Sequence, residues 1–407
     1  MPSKKYSLFI GVDVSRDSCE VAFLQAKNGI EAPPWDKIES LSVKPTKEDF
    51  ENLRSKLLEL SQPQNCIAAI DETGGYYGAP LSNFLNLIGC SLVYFPGYSG
   101  KLIREKLLLQ ETKTDRIDAK TLAYCLHLHQ ALGMKFNLVE VVKGTEDLAL
   151  NLLQLCRLRQ QLVAARVQAT NRLSQILRAA FPEGISKNRE TLLRIAHKYP
   201  TPADICADIE LSKVKVLKHI RKRLVCLAEN SVGVNSNALR ASTMVWARYY
   251  LDLERQIGAL DRKITRESIR HPYGHVLLSI PGVGPIRTAL FIGLIKDVRL
   301  WENSNKLKKA FGFYGVTRQS GTSERTVRGK RGNRVGKTLV LQTVASIIRH
   351  ADTHPNDFSC YYTRLRNRGV VPLKAMYKTG SKLLDVLYAC LKTERLYQNR
   401  RTNPLPK

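Results

Sequence analysis

Two short apolar runs, each ending in a carboxylate, constrain this chain more than any other feature. Leu8-Phe9-Ile10-Gly11-Val12 stops at Asp13, and Cys66-Ile67-Ala68-Ala69-Ile70 stops at Asp71 and Glu72. Continuous apolar runs of this length read as strands buried on both faces, and an acid at the end of such a strand needs water, a partner or a cation. A third acidic site, Lys113-Thr114-Asp115-Arg116-Ile117-Asp118-Ala119-Lys120, sets two carboxylates three residues apart on one face of a starting helix. If that helix packs across the strand ends, the acids converge on one point. A hard cation that takes oxygen ligands, Mg²⁺ or Mn²⁺, is expected there, held by Asp13, Asp71 or Glu72, Asp115 and Asp118. Asp71 and Glu72 point to opposite faces of a strand, so only one of them is expected to be a ligand. The plainer reading of the third site is a helix start, with Asp115 as cap and Asp118 at N3 favoured by the dipole.

The elements around these acids follow from periodicity and caps. Strands are expected over 6–14, 18–25 and 38–43, then a helix opened by Thr46-Lys47-Glu48-Asp49 with Phe50, Leu53, Leu57, Leu58 and Leu60 inward. A strand over 66–72, a helix over about 77–89, the strand Ser91–Phe95, a short helix over about 98–109 and a helix from Asp115 to about Gln130 complete the region. Three strands followed by alternating helices and strands predict a mixed α/β sheet with helices on its faces.

A chain of 407 residues exceeds one ordinary core. Its domains are expected at 1–140, a helical 141–270, a mostly helical 271–395 and a basic tail, 396–407. Lys and Arg number 64 against 36 Asp and Glu, a formal charge of +28 that points to a polyanion, nucleic acid before an anionic membrane. No apolar stretch is long enough to span a membrane and the opening Met-Pro-Ser-Lys-Lys-Tyr lacks a signal-peptide core, so a soluble intracellular protein is expected. The nine cysteines form no Cys-x-x-Cys pair and read as reduced core thiols rather than a zinc site or disulfide framework.

Thr145-Glu146-Asp147 opens a long helix to about Ala180, whose broken heptad of Leu148, Leu152, Leu155, Leu162, Ala169, Leu173 and Ile176 is interrupted by Arg159 and Arg166. A second long helix, about Asn237 to Ile269, keeps a/d spacing through Trp246, Tyr249, Leu253, Ile257, Leu260 and Ile264. Together they predict an antiparallel coiled coil that can also pair protomers, or else a solvated arm. Further on, Pro281-Gly282-Val283-Gly284-Pro285 before an apolar helix resembles a helix-hairpin-helix turn, in which Gly282 and Gly284 let backbone N–H groups approach a phosphate. From 318 to 337 the chain carries Arg318, Arg325, Arg328, Lys330, Arg331, Arg334 and Lys337, four glycines and a single acid, Glu324. Such a loop can wrap a nucleic-acid backbone.

The element order, with acids on the first and fourth strands and a late helix, resembles the RNase H-like fold of RuvC-type junction resolvases. Gly11-Val12-Asp13-Val14-Ser15, Asp71-Glu72-Thr73-Gly74-Gly75-Tyr76 and Lys113–Ala119, with Ala310–Val316, Gln319-Ser320-Gly321, Lys330-Arg331-Gly332-Asn333, Arg364–Gly369 and Lys382-Leu383-Leu384, resemble the DEDD transposases. These are the bridge-RNA-guided insertion-sequence serine recombinases, with Piv-type invertases among their relatives. In that pattern the second acid stands two residues before Thr-Gly, which favours Asp71, whereas its type is Glu, which favours Glu72. The usual Leu-Arg after Gly-Asn is Gly336-Lys337 here, which keeps a cation and loses a bidentate fork. The resemblance implies a DNA transposase of a prokaryotic cytosol or nucleoid. It also implies Ser320 as nucleophile, a phosphoserine link, exchange through a Holliday junction, and a structured guide RNA gripped by the helical middle of a dimer or tetramer. No histidine lies in the Ser320 loop, so the carboxylates with Mg²⁺ are the expected activators, in a composite site within one chain or across protomers. The rival expectation is a metal-dependent junction-resolving nuclease in which water cuts and Ser320 only supports the loop. A non-catalytic nucleic-acid scaffold is the third.

Overall fold

The apolar runs form neighbouring strands. The computed structural model describes residues 5–26, 31–71, 77–95, 103–105, 112–134, 139–141, 148–208, 211, 215–320, 323–329 and 332–399. The chain divides into two units, Met1–Glu146 and Asp147–Lys407.

In the first unit β1 (Leu8–Val14), β2 (Cys19–Gln25), β3 (Glu39–Val43), β4 (Cys66–Asp71), β5 (Ser91–Phe95) and β6 (Val139–Val141) lie in the order β3-β2-β1-β4-β5-β6. The first three form an antiparallel meander, β1, β4 and β5 are parallel, and β6 returns antiparallel to β5. Strand alternation sorts the apolar residues onto two faces. Leu8, Ile10, Val12, Ala68 and Ile70 pack against α1 (Lys47–Leu60) and α2 (Ala79–Leu87) through Leu53, Leu57, Leu81 and Leu85. Phe9, Ile67, Ala69, Val93 and Phe95 pack against α3 (Asp115–Ala131) through Ala119, Leu122, Ala123 and Leu126. Thr46 caps α1 as expected, accepting from the Asp49 N–H. Leu58, expected inward, is 49% exposed, because the buried stripe runs through Leu53 and Leu57 one turn apart. The short strand β6 had no counterpart in the sequence expectation. Of the short helix expected over 98–109, only 103–105 falls among the described residues.

The second unit is built on α4 (Leu148–Ala180) and α8 (Asn237–Arg270), which run antiparallel along each other. Arg159 pairs with Asp261 and Arg166 with Glu254, so seven residues forward on one helix match seven back on the other. On α8 the inward positions Thr243, Ala247, Tyr250, Glu254, Ile257, Asp261, Ile264 and Ser268 advance in alternating steps of four and three, all buried apart from the two acids. The arginines that break the apolar pattern of α4 thus sit opposite the acids that break the pattern of α8. The seam differs in detail from the expected one. It uses Ala247 and Tyr250 in place of Trp246 and Tyr249, and Leu177 in place of Ile176, while Tyr249 is 46% exposed. Residues 145–147, where the first long helix was expected to begin, lie outside the described residues.

At one end of this pair α5 (Pro182–Ile195), α6 (Pro202–Ala207) and α7 (Lys218–Glu229) enclose a core of Leu173, Leu177, Phe181, Leu192, Leu224 and Tyr250. At the other end α9 (Gly274–Leu278), α10 (Pro285–Ile295), α11 (Ser304–Ala310), α12 (Arg334–Arg349), α13 (Asp357–Asn367) and α14 (Pro372–Thr393) surround Phe291, Phe311, Phe358 and Leu384. Between α11 and α12 the chain makes an antiparallel hairpin, β7 (Gly315–Ser320) and β8 (Ser323–Arg328). Among the described residues no helix is long and apolar enough to cross a membrane.

Candidate active site

The parallel register of β1 and β4 pairs Val12 with Ile70, so Asp13 and Asp71 follow as the next positions on adjacent strands. Asp13 is half-buried, and its cross-strand partner on β2 is Glu20. Positions 13, 20 and 71 share the parity of Phe9, Ala22 and Ala69, whose face α3 covers. Gly11 makes that covering close. A Cβ there would lie 1.9 Å from the Ala119 carbonyl oxygen and 2.5 Å from the Ala123 nitrogen. Glycine in Gly11-Val12-Asp13 therefore lets the α3 backbone rest directly on β1, two residues before the acid.

The start of α3 corrects the simpler capping expectation. Thr114 is the cap, its Oγ1 accepting from the Ile117 N–H at 3.2 Å, so Asp115 is the first helical residue and Asp118 lies three further on. Both acids fall in the first turn, where the helix dipole favours negative charge. Asp115 is exposed and Asp118 half-buried. Asp118 forms an ion pair with Arg104, whose side chain is only 6% exposed and which also lies 3.8 Å from Glu105.

Sequence reasoning passed over Arg104 and Glu20. Glu20 Oε2 and Arg104 Nε are buried and make no hydrogen bond. The one signal for Glu20 was its place directly across from Asp13 in a hairpin; Arg104 fell within the short helix expected over about 98–109, where nothing local ties it to Asp118. Burial, and secondarily the Asp13 charge beside it, pushes the Cys19 thiol up to about 11.

The donor set suits a hard divalent cation, because every candidate is a carboxylate oxygen and a buried oxygen on Glu20 is left without a partner. The sequence expectation assigns it to Asp13, Asp71 or Glu72, Asp115 and Asp118. Among the described residues no three His, Cys, Asp or Glu side chains are gathered closely enough to hold a metal. Glu72 lies outside the described residues, and Asp71 is placed by its backbone pairing with Phe95.

The second group of expected site residues lies on the C-terminal hairpin. The basic stretch expected as a loop is a two-stranded ladder followed by the first turn of α12. The β-branched residues Val316, Thr317, Thr326 and Val327 favour strands. Ser320 ends β7 opposite Ser323, Arg318 pairs in register with Arg325, and Arg328 with Gly315. Lys330 and Arg331 lie outside the described residues. Gly332 has φ +122°, and a Cβ there would lie 2.6 Å from the Gly312 nitrogen. Asn333 donates its N–H to the Ala310 carbonyl at 2.6 Å and caps α12 by accepting from the Gly336 N–H at 3.0 Å. Gly332-Asn333 is thus a backbone joint that launches α12, with Arg334 exposed at its first residue and Lys337 Nζ 5.7 Å above the Tyr377 ring.

The two glycines before α10 part in role. Gly282, at φ +76°, is enclosed: a Cβ would lie 2.8 Å from Ile347 Cγ1 and 3.0 Å from the Thr343 carbonyl. Arg287 donates to its carbonyl at 2.5 Å. Gly284 is exposed at the N-terminus of α10 with nothing within 4 Å of its Cβ position, so it leaves open space there.

Comparison with known sequences adds to this geometry. Residues 10–182 match the family DEDD_Tnp_IS110, described as a transposase, and residues 274–360 match the family described as transposase IS116/IS110/IS902. The insertion element IS110 uncharacterized 43.6 kDa protein of Streptomyces coelicolor is 24% identical over 333 residues, 77% of this chain and 78% of that protein. The insertion element IS116 uncharacterized 44.8 kDa protein of Streptomyces clavuligerus is 26% identical over 327 residues, 76% of this chain and 78% of the other. The insertion element IS900 uncharacterized 42 kDa protein of Mycobacterium paratuberculosis is 26% identical over 316 residues, 72% and 74% of the two chains.

Proposed function

We infer that the chain is an insertion-element transposase of the IS110/IS116 type, whose family models match residues 10–182 and 274–360, and that it cuts and rejoins DNA through a serine nucleophile and a carboxylate-held divalent metal. The observation that carries this reading is the β1–β4 register, which sets Asp13 beside position 71 on the sheet face that α3 covers. Asp115 and Asp118 in the first turn of α3 supply the remaining oxygens. When bound, Mg²⁺ or Mn²⁺ offsets the charge that develops on the phosphate and on the leaving oxygen.

The residues of this chain do the rest. Ser320, at the tip of the hairpin, attacks phosphorus: an Oγ–P bond forms, one backbone P–O ester bond breaks, and the hydroxyl proton passes to a carboxylate or to solvent. The phosphoserine ester conserves the energy of the broken bond, so a second DNA hydroxyl can reverse the step and join new ends through a Holliday junction. Arg318, Arg325, Arg328, Lys330, Arg331, Arg334 and Lys337 neutralise backbone phosphates of the bound DNA, and the open Gly284 N–H at α10 takes another. Gly282 contributes by shaping the turn that presents it. The α4–α8 pair acts as a coiled-coil arm that joins protomers into a dimer or tetramer and, with basic α7, holds a structured guide RNA. Many phosphate contacts make affinity fall steeply with salt, by roughly 10³-fold between 50 and 200 mM.

Labelled DNA carrying the element's ends, incubated with protein and Mg²⁺, tests the reading. A covalent protein–DNA adduct that disappears in Ser320→Ala and in Asp13→Ala is expected. Cleavage without an adduct, undiminished in Ser320→Ala, would mean that water is the nucleophile and that the chain is a junction-resolving nuclease.

A further inference from the structure

From Arg325 to Lys392 the chain holds fourteen Lys and Arg residues and three acids, Asp352, Asp357 and Asp385. The excess has a definite address on α14. Its inward positions Ala375, Thr379, Leu383, Leu384 and Leu387 are buried against the C-terminal core, which turns Lys374, Lys378 and Lys382 to the exposed side. Spaced four apart, they stand about 6 Å from one another along the helix, a repeat comparable to that of successive phosphates on one strand. No carboxylate occupies a position three or four residues from Lys374 or Lys378. Asp385, the only acid of α14, is engaged by Lys308 at 2.9 Å, so it does not offset the row.

Two tyrosines steady the row's flank. Lys382 Nζ lies 4.6 Å above the Tyr361 ring of α13, and the neighbouring Tyr377 carries Lys337. Each ring has an ammonium group over one face, so a base stacking there would have to displace a lysine, which disfavours a single strand read through its bases. A regularly spaced row of lysines, two of them without a carboxylate one turn away, matches a continuous phosphate backbone instead.

We propose that the exposed face of α14, through Lys374, Lys378 and Lys382, is a further nucleic-acid surface, made of residues other than those of the Ser320 hairpin, that holds the backbone of duplex DNA without reading its sequence. The inference rests on the DNA-transposase reading. It predicts which positions set part of the salt dependence, because each neutralised duplex phosphate contributes about 0.9 to the slope of log affinity against log salt. Full-length protein and a K374Q/K378Q/K382Q variant are titrated with a labelled duplex of random sequence and with an RNA hairpin, between 50 and 200 mM KCl. The slope on duplex DNA is expected to fall by about 2.7, and affinity at 100 mM by on the order of 10-fold per lysine. K374Q/K378Q, which keeps the Lys382–Tyr361 contact, is expected to lose about 1.8 of slope and to unfold at the wild-type midpoint. An unchanged duplex slope in the variants, or a loss confined to the RNA hairpin, overturns the assignment while leaving the proposed function standing. Failure of the unaltered protein to bind duplex DNA at all overturns both.

Discussion

Gly11→Ala is the sharpest perturbation of the candidate active site that leaves every proposed ligand chemically unaltered. The added methyl would sit 1.9 Å from the Ala119 carbonyl oxygen, about 1.5 Å short of the 3.4 Å at which ordinary van der Waals contact begins. The obstacle is helix backbone, so no side-chain rotation relieves it and α3 must lift or slide. Overpacking of this kind costs about 1–3 kcal/mol, and the backbone neighbour argues for the upper end. For a unit of this size each kcal/mol lowers the melting temperature by about 2–4 °C, so a loss of about 6–12 °C is expected. Asp115 and Asp118 ride on α3 while Asp13 stays on β1, and a misplacement of about 1 Å within a catalytic constellation costs roughly 10²-fold in rate. Thermal unfolding and yield of the covalent DNA adduct should therefore fall together. Gly258→Ala on α8, where the nearest atom is the far end of Arg262 at 3.8 Å, serves as control and is expected to be neutral or slightly stabilising. A Gly11→Ala protein that melts within a degree of wild type and forms adduct normally would refute the close-packing argument.

Other expectations follow from single contacts. Arg104→Leu removes the cation held against Asp118 and leaves that half-buried carboxylate uncompensated; isothermal titration or Mn²⁺ resonance should show altered metal affinity, with stability lowered by about 1–3 kcal/mol. Arg159→Ala should cost about 1–2 kcal/mol in urea unfolding, whereas Arg159→Leu with Asp261→Leu should recover most of it, since a facing apolar pair replaces a partly buried ion pair. Burial holds the pKa of His127 below its usual 6.5. The unfolded chain therefore binds its proton first on acidification, so this contribution is intact above pH 6.5 and drains away as pH falls toward the lower folded-state value. Unfolding free energies measured across pH 5–8 should show that loss, and His127→Phe should flatten it.

What could be read in advance was whatever left a local periodic mark. The apolar runs gave β1, β4 and β5 nearly to the residue, and the Thr-Lys-Glu-Asp start of α1 announced its own cap. The reason for Gly11 was invisible, because the contact it permits is with Ala119, a hundred residues away. Nothing local marks Glu20 within its strand, and only the sheet register sets it against Asp13. The Thr114 cap was hidden by the more conspicuous Asp115 beside it, both being good cap residues. The basic stretch around Ser320 read as a loop since its charges masked a weak β pattern that two-stranded pairing was enough to realise. In the long helices the arginine interruptions were seen correctly, but the acids that answer them came from Asp261 and Glu254, which no local rule links to α4.

Those two charged rungs have a bearing on how such an arm can change length. Sliding one helix by a single turn would set arginine against aliphatic neighbours, so the stagger is locked, and only insertions of whole heptads made in both helices at once preserve every rung. Each would push the two helical cores of the second unit apart by about 10 Å. The pair thus behaves as a spacer graduated in fixed increments, and relatives in which it is longer or shorter should differ from this chain by multiples of seven residues on either helix.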